Sequence, residues 1–170
     1  LAFTPDGGIL AAASGGSPLS VQLWQLADSQ PVQRLEDPNN ASDYISLDVA
    51  FSPDGKFLGV GGDFWKLPEG KLMTDFIGKM VERHPFWPES LVFLPGGYSP
   101  TRSAVALGAM EGVLTLWDLA DQSWLADLKA EYTGQVISLD VSTDATKLAA
   151  VYGYPDDTAQ IWLLPEGKPD

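Results

Sequence analysis

The sequence predicts an all-β protein built from four similar repeats, and three features predict it. Each repeat carries a tryptophan after an apolar residue, and these are Trp24, Trp65, Trp117 and Trp162. Each repeat also has a segment in which a strand runs into a turn, and these segments begin at Phe3, Phe51, Phe93 and Val141. Between the two markers, apolar and polar residues alternate with the period of two that is typical of half-buried strands.

The two markers share one period. The tryptophans are 41, 52 and 45 residues apart, and the turn segments are 48, 42 and 48 residues apart. The fourth repeat shows the internal structure most clearly, with strands predicted over 136–142, 148–154 and 158–164. The third repeat adds a fourth strand over 124–130, and Asp, Gly and Pro at the turns favour short antiparallel hairpins. Four-stranded units that repeat every ~40–45 residues are typical of a β-propeller.

The repeats resemble those of the WD-repeat (WD40) β-propeller family along essentially the whole chain. The resemblance rests on the four tryptophans, on the Trp117-Asp118 pair at the end of a third strand and on Ser52-Pro53-Asp54-Gly55 after a first strand. The Ser-Pro-Asp-Gly-Lys form looks most like bacterial members of the family. The family's Gly-His pair is absent, and His84 is the single histidine, so the buried Asp–His–Ser/Thr–Trp network of many members cannot form.

The resemblance implies four blades, with repeats over about 1–40, 41–84, 85–131 and 132–170. It also predicts that the four tryptophans are core residues. Propellers of this family usually close with seven or eight blades, so we expect the chain to form part of such a ring. Because open end sheets would expose apolar surface, we expect either further blades from the same chain or a second copy that completes an eight-bladed ring.

Two segments depart from the regular repeat. Only 14 residues separate Phe51 from Trp65, whereas the same interval is 21 or 24 residues in the other repeats. Either this hairpin is short or residues are missing between Gly62 and Asp63, and we favour missing residues. The segment 71–84, KLMTDFIGKMVERH, is interpreted as a fourth strand followed by a long connection, with a helical turn as the alternative.

Composition excludes several classes of function. The net charge of −13 predicts repulsion of nucleic acid and of anionic lipid, so any charged partner is expected to be basic. No apolar run reaches the ~18 residues of a membrane span. The chain lacks cysteine and has one histidine, which leaves no zinc ligand set. His84 is flanked by Arg83 and Pro85, and we interpret it as a structural or surface residue and not as the base of a nucleophilic serine. We therefore expect no enzymatic activity, no metal and no cofactor.

The connections between blades carry the predicted binding residues. In WD-repeat proteins the connections from a fourth strand to the next first strand line one face of the disc, and that face commonly binds partners. Aromatic and arginine side chains are typical of binding hot spots. The predicted partner-binding residues are Tyr44, Arg83, His84, Phe86, Trp87, Tyr132 and Tyr154. As an alternative, Phe86 and Trp87 fold back as a plug between blades.

The function implied by the resemblance is a rigid platform for protein–protein interaction without chemistry of its own, most simply in the cytoplasm. One alternative is a propeller that binds a small ligand or hydrolyses a substrate in its central channel. Another is a structural module that assembles a larger multidomain protein.

Overall fold

The computed structural model describes residues 1–14, 19–37, 48–96 and 103–164, which form four antiparallel sheets. Blade 1 contains β1 (Ala2–Phe3), β2 (Ile9–Ser14), β3 (Ser20–Gln25) and β4 (Gln30–Glu36). Blade 2 contains β5 (Val49–Phe51), β6 (Phe57–Val60), β7 (Asp63–Lys66) and β8 (Lys71–Leu72). Blade 3 contains β9 (Ser90–Phe93), β10 (Ala104–Gly108), β11 (Leu114–Asp118) and β12 (Ser123–Asp127). Blade 4 contains β13 (Val136–Val141), β14 (Lys147–Tyr152) and β15 (Thr158–Leu163).

The strands of each sheet follow one another in chain order, so every blade is an antiparallel meander. The first strands of successive blades lie next to one another, β1 by β5, β5 by β9 and β9 by β13. This arrangement places the first strands at the inner wall and the fourth strands at the outer edge. The predicted fold class, four blades of a β-propeller, is confirmed, and the described part of blade 4 has three strands as expected.

The turns after the first strands follow from their sequence. In Ser52-Pro53-Asp54-Gly55 the Ser52 hydroxyl donates a hydrogen bond to Asp54 Oδ1 over 2.7 Å and accepts one from the Phe57 amide over 2.9 Å. The equivalent turn in blade 4 repeats the bond between Ser142 and Asp144 at 2.6 Å. Hydrogen bonds from Ser142 and from the Thr146 amide and hydroxyl lower the pKa of Asp144 to about 2.

Apolar side chains fill the space between successive blades in three clusters. One cluster lies between blades 1 and 2 and includes Val21, Leu23 and Leu58. A second cluster lies between blades 2 and 3, and a third lies between blades 3 and 4, on the opposite side of blade 3. Strands β10 and β11 are consequently buried along their whole length, because a blade with two neighbours has no solvent-facing side.

The tryptophan prediction is confirmed for the inner blades and wrong for Trp24. Trp65 and Trp117 are only 1% and 3% exposed, whereas Trp162 is half-buried and Trp24 is 37% exposed. Trp65, Trp117 and Trp162 each lie in the cluster shared with the preceding blade. Trp24 occupies the same place on a third strand, but the corresponding side of blade 1 is open. Trp24 is therefore exposed because no described blade precedes blade 1.

The segment 71–84 begins with the predicted fourth strand, but the connection that follows it is helical, as in the alternative. Strand β8 is two residues long, and helix α1 (Thr74–Arg83) follows it. Met73, Phe76 and Met80 recur at helical spacing and are buried between blades 2 and 3. The Phe76 ring meets Phe64 and Trp117 edge to face, with ring centroids 5.2 Å and 5.4 Å away.

The second blade has a short hairpin, which is one of the two alternatives that its sequence left open. Val60 pairs with Asp63 and Phe57 pairs with Lys66, so Gly61 and Gly62 form a two-residue turn. Every residue of β6 from Phe57 to Val60 has a pairing partner in β7. Blade 2 is therefore narrow at this end, and helix α1 supplies apolar contacts on the outer side of the blade 2–blade 3 core.

Candidate interaction surface

One face of the disc collects the turns between second and third strands and the connections between blades. We define this connection face by the described residues 61–62, 84–89, 109–113, 128–135 and 153–157. They share one face because the strands alternate in direction, so both kinds of segment lie at the same edge of every sheet. Backbone hydrogen bonds join them, from the Glu89 amide to the Gly108 carbonyl over 2.7 Å and from the Gly112 amide to the Gly134 carbonyl over 3.0 Å.

The Trp87 ring packs against the short hairpin turn of blade 2. A Cβ atom at Gly62 would stand 2.7 Å from ring atom Cε3 of Trp87, so only glycine lets the ring approach the turn this closely. The ring is still 41% exposed. Trp87 thus combines the two predicted roles, because one side packs against blade 2 and the other faces solvent. Phe86, beside it, is half-buried.

A carboxylate joins the two segments that carry Tyr132 and Tyr154. Asp156 Oδ2 accepts hydrogen bonds from the amides of Thr133 and Gly134 over 2.9 Å and 2.7 Å, which ties the connection before blade 4 to the turn that contains Tyr154. Tyr154 is 86% exposed, whereas Tyr132 is half-buried. Of the predicted binding residues, Trp87, Tyr132 and Tyr154 therefore lie on the connection face.

A buried tyrosine lies beneath these residues. The Tyr132 ring is 5.4 Å from that of Tyr152, which is 1% exposed. Burial, together with the charge of Asp156 and the proximity of Tyr132, raises the pKa of Tyr152 to about 12. The hydroxyl therefore stays protonated at neutral pH, and Tyr152 serves as packing beneath the face.

Residue 84 belongs to the connection face, but the side chains of Arg83 and His84 are both bound to Asp127 on the outer strand of blade 3. Arg83 Nη2 is 2.8 Å from Asp127 Oδ2, and His84 Nε2 is 3.0 Å from Asp127 Oδ1. The Trp124 indole N–H donates to Asp127 Oδ1 over 3.0 Å, and the Arg83 guanidinium lies 3.7 Å above the Trp124 ring. Because Asp127 ends the outer strand β12, these contacts attach the end of helix α1 to the rim of blade 3.

The Asp127 carboxylate is stabilised by this cluster. Partial burial by itself raises its pKa, but the hydrogen bonds from Arg83, His84 and Trp124 outweigh burial and hold the pKa well below its usual range. A carboxylate with three donors around it is a structural anchor, so Arg83 and His84 are occupied in the folded protein.

Asp127→Asn is expected to lower the free energy of unfolding by about 1 kcal/mol at neutral pH, a modest value because the pair is partly exposed and screened. The folded pKa lies below the ordinary 3.8, so the contribution is complete above that value and is lost as pH falls through the folded pKa. Urea unfolding of both proteins should therefore give a difference that shrinks below about pH 4. A difference that stays constant on acidification would contradict this assignment.

Sequence reasoning missed Met110 and Glu111. They begin the 3₁₀ turn Met110–Gly112 between β10 and β11, and Met110 is 43% exposed on the connection face. The only signal was the short polar interruption between two apolar strands, which predicts a turn but not the direction of a side chain. Tyr44 lies outside the described residues.

Within the described ranges, no group of three or more His, Asp or Glu side chains is placed to hold a metal ion. A surface cavity beside the start of helix α1 is lined by Lys66, Lys71, Asp75 and Gln122 among others, and it has no histidine and no second carboxylate. Among the helices that the structure describes, none is long and apolar enough to cross a membrane.

Comparison with known proteins supports the architecture. No protein-family model matches the chain. The small ribosomal subunit protein RACK1y of Oryza sativa subsp. japonica, a WD40 propeller protein, is 30% identical over 174 residues, which cover 95% of this chain and 46% of that protein. The chain belongs to the WD-repeat β-propeller family. This WD-repeat chain thus spans just under half the length of the curated relative that it matches.

A solved structure shares the fold of these WD-repeat blades. Hydrazine synthase of Kuenenia stuttgartiensis superposes with a TM-score of 0.69 over 98% of this chain and 46% of that chain. The sequences are 13% identical, so this likeness concerns the fold alone.

Proposed function

We propose that the chain is a non-catalytic module for protein–protein interaction and that it binds its partner through the connection face. The observation that carries the proposal is the exposure of Trp87 and Tyr154 on turns that hydrogen bonds hold in place. Exposed aromatic side chains on a rigid support lose little conformational freedom on binding, which is the property of interface hot spots. Tyr132 and Phe86 add half-buried aromatic surface, and Tyr44 completes the proposed set.

The relative found by sequence supports this assignment. It is a ribosomal subunit protein and thus a component of an assembly, and we propose an assembly role in the cytoplasm for this chain as well. The net charge of −13 favours a basic protein partner and disfavours direct contact with a phosphate backbone.

A photo-reactive side chain tests the proposal. We expect a benzoylphenylalanine at position 154 to cross-link a protein partner in the source cells, because Tyr154 is 86% exposed. The same group at Glu69, in the turn on the opposite face, serves as the control. Trp87→Ala should reduce the adduct at least about tenfold while the circular dichroism spectrum stays unchanged. Equal adducts from both positions would argue against a binding role for this face.

We further propose that additional blades cover the two open ends of the unit, with a second copy of the chain as the alternative. On blade 4 the exposed apolar residues include Ile161 and Val151. Ile161 directly precedes the third-strand tryptophan, as Leu23 and Leu116 do, and those two are buried by the following blade. On blade 1, Phe3 and Trp24 are exposed, whereas their counterparts Phe51, Phe93, Trp65 and Trp117 are buried against the preceding blade.

The mass in solution distinguishes the alternatives. We expect the 170-residue chain to associate rather than persist as a folded monomer of 18.3 kDa, because its end blades expose apolar surface that a monomer avoids. A longer natural chain that supplies the remaining blades should be monomeric. A dimer of that longer chain, joined through these ends, would favour the second copy. A stable 18.3 kDa monomer of the four blades would contradict both.

A further inference from the structure

We infer that the connection face of blades 2 to 4 takes a lysine- and arginine-rich polypeptide segment, anchored on a row formed by Trp87, Met110 and Tyr154. The inference rests on the proposed function and specifies the partner of that same face. Beyond the proposed function, the inference adds Met110 to the binding surface and specifies that the bound segment is positively charged. It also predicts that the segment runs along the row from Trp87 to Tyr154.

The first support is the distribution of exposed apolar side chains. Trp87, Met110 and Tyr154 are 41%, 43% and 86% exposed. Trp87 packs on the hairpin turn of blade 2, Met110 lies in the corresponding turn of blade 3 and Tyr154 lies in that of blade 4. The other large apolar side chains exposed in the described ranges belong to blade 1, to the open side of blade 4 or, for Trp124, to the outer strand beneath Arg83. In the described part of blades 2 to 4, the opposite face presents none on its turns.

The second support is the connected backbone beneath the row. Two residues after Trp87, the Glu89 amide donates to Gly108, and Met110 follows Gly108 by two residues. Two residues after Met110, the Gly112 amide donates to Gly134. The Gly134 amide in turn donates to Asp156 Oδ2, beside Tyr154. The three anchors are therefore held in a fixed relation before any partner binds.

The spacing of the blades fits an extended peptide. Facing sheets pack about 10 Å apart, so the row spans on the order of 20 Å or more. An extended chain advances about 3.3 Å per residue, and a segment of roughly seven residues or more can reach from the first anchor to the third.

Charge selects the occupant. The residues that define the connection face include five carboxylates, and these are Glu89, Glu111, Glu131, Asp156 and Asp157. They include one lysine, Lys129. A basic segment complements this field, and its cationic groups can also stack on the exposed aromatic rings. Arg83 makes that contact within the protein, 3.7 Å above the Trp124 ring.

Fluorescence anisotropy with synthetic peptides of about twelve residues tests the inference, since that length exceeds the span of the row. The probes are a set of Lys/Arg-rich sequences with spaced leucines, and matched sets in which Glu or Ser replaces every basic residue. The protein is used as the full natural chain. We expect the basic set to bind, the Glu and Ser sets to bind at least about tenfold more weakly, and salt to weaken binding of the basic set.

Variants locate the site. Trp87→Ala, Met110→Ala and Tyr154→Ala should each weaken binding of the basic peptides by about tenfold. Glu111→Gln and Glu131→Gln should weaken it by a smaller factor and reduce its dependence on salt. Glu69→Gln and Asp121→Asn, which remove the same charge from turns on the opposite face, are the matched controls and should leave binding unchanged.

Three outcomes would overturn the inference. Neutral or acidic peptides could bind as tightly as basic ones, the opposite-face controls could weaken binding as much as the connection-face variants, or no peptide set could bind. If the cross-linking at position 154 still captures a protein in any of these cases, the interaction function stands and only the basic segment is rejected. Loss of that cross-link as well would reject both.

Discussion

Trp117→Ala is expected to lower the free energy of unfolding of the 170-residue chain by ~3–5 kcal/mol, as large-to-small changes in a packed core do. Trp117 is 3% exposed and lies between blades 2 and 3. Its ring contacts Phe76 of helix α1 edge to face, at 5.4 Å between centroids. Removing the indole leaves a cavity that the sheets cannot close, because β11 is hydrogen-bonded on both sides.

Trp24→Ala is the matched control, since Trp24 holds the equivalent position on β3 but is 37% exposed. Where the open side of blade 1 stays uncovered, it should cost less than about 1 kcal/mol. In a longer chain that supplies the preceding blade, the cost should approach that of Trp117→Ala. Denaturant unfolding at one protein concentration measures all three values. A cost under about 1 kcal/mol for Trp117→Ala would show that the blade 2–blade 3 interface is misplaced.

Gly112→Ala should destabilise the chain by ~2–4 kcal/mol, through two effects at one position. Gly112 has φ +69°, a left-handed conformation that costs an alanine about 1 kcal/mol. A Cβ atom there would also collide with the Tyr132 backbone carbonyl, and relief of the collision must lengthen the hydrogen bond from Gly112 to Gly134. The change therefore separates blade 3 from the connection that leads into blade 4.

Gly78→Ala, the same substitution at another glycine, is expected to raise the free energy of unfolding. Gly78 is exposed in helix α1, and a Cβ atom there meets nothing within 4 Å. Because alanine favours the helix, we expect a gain of ~0.5–1 kcal/mol. Thermal unfolding of both variants, followed by circular dichroism, provides the test. If Gly112→Ala were as harmless as Gly78→Ala, the contact between the turn 109–113 and the connection 128–135 would not exist.

The sequence by itself determined the blades and most of their strands. Period-two alternation and turn chemistry act over a few residues, so the segments 136–142, 148–154 and 158–164 predicted β13, β14 and β15 closely. The Ser-x-Asp turns were equally legible, because Ser52 and Asp54 bond to each other and to the backbone next to them. The sequence also placed Trp87 and Tyr154 on one face, since blade connections alternate regularly between the two edges of a meander.

Only the tertiary structure decided which of these residues are free. Arg83 and His84 were expected on the binding face, but the partner that holds them, Asp127, lies 43 or 44 residues further along the chain. The segment 71–84 became helical because its buried side, with Phe76 at its centre, meets Trp117 of another blade. Trp24 and Trp117 have the same local sequence pattern but differ in burial. Trp117 is covered by the preceding blade 2, whereas the equivalent side of blade 1 is open. Local sequence specifies strands and turns, whereas burial and pairing depend on segments that meet only after folding.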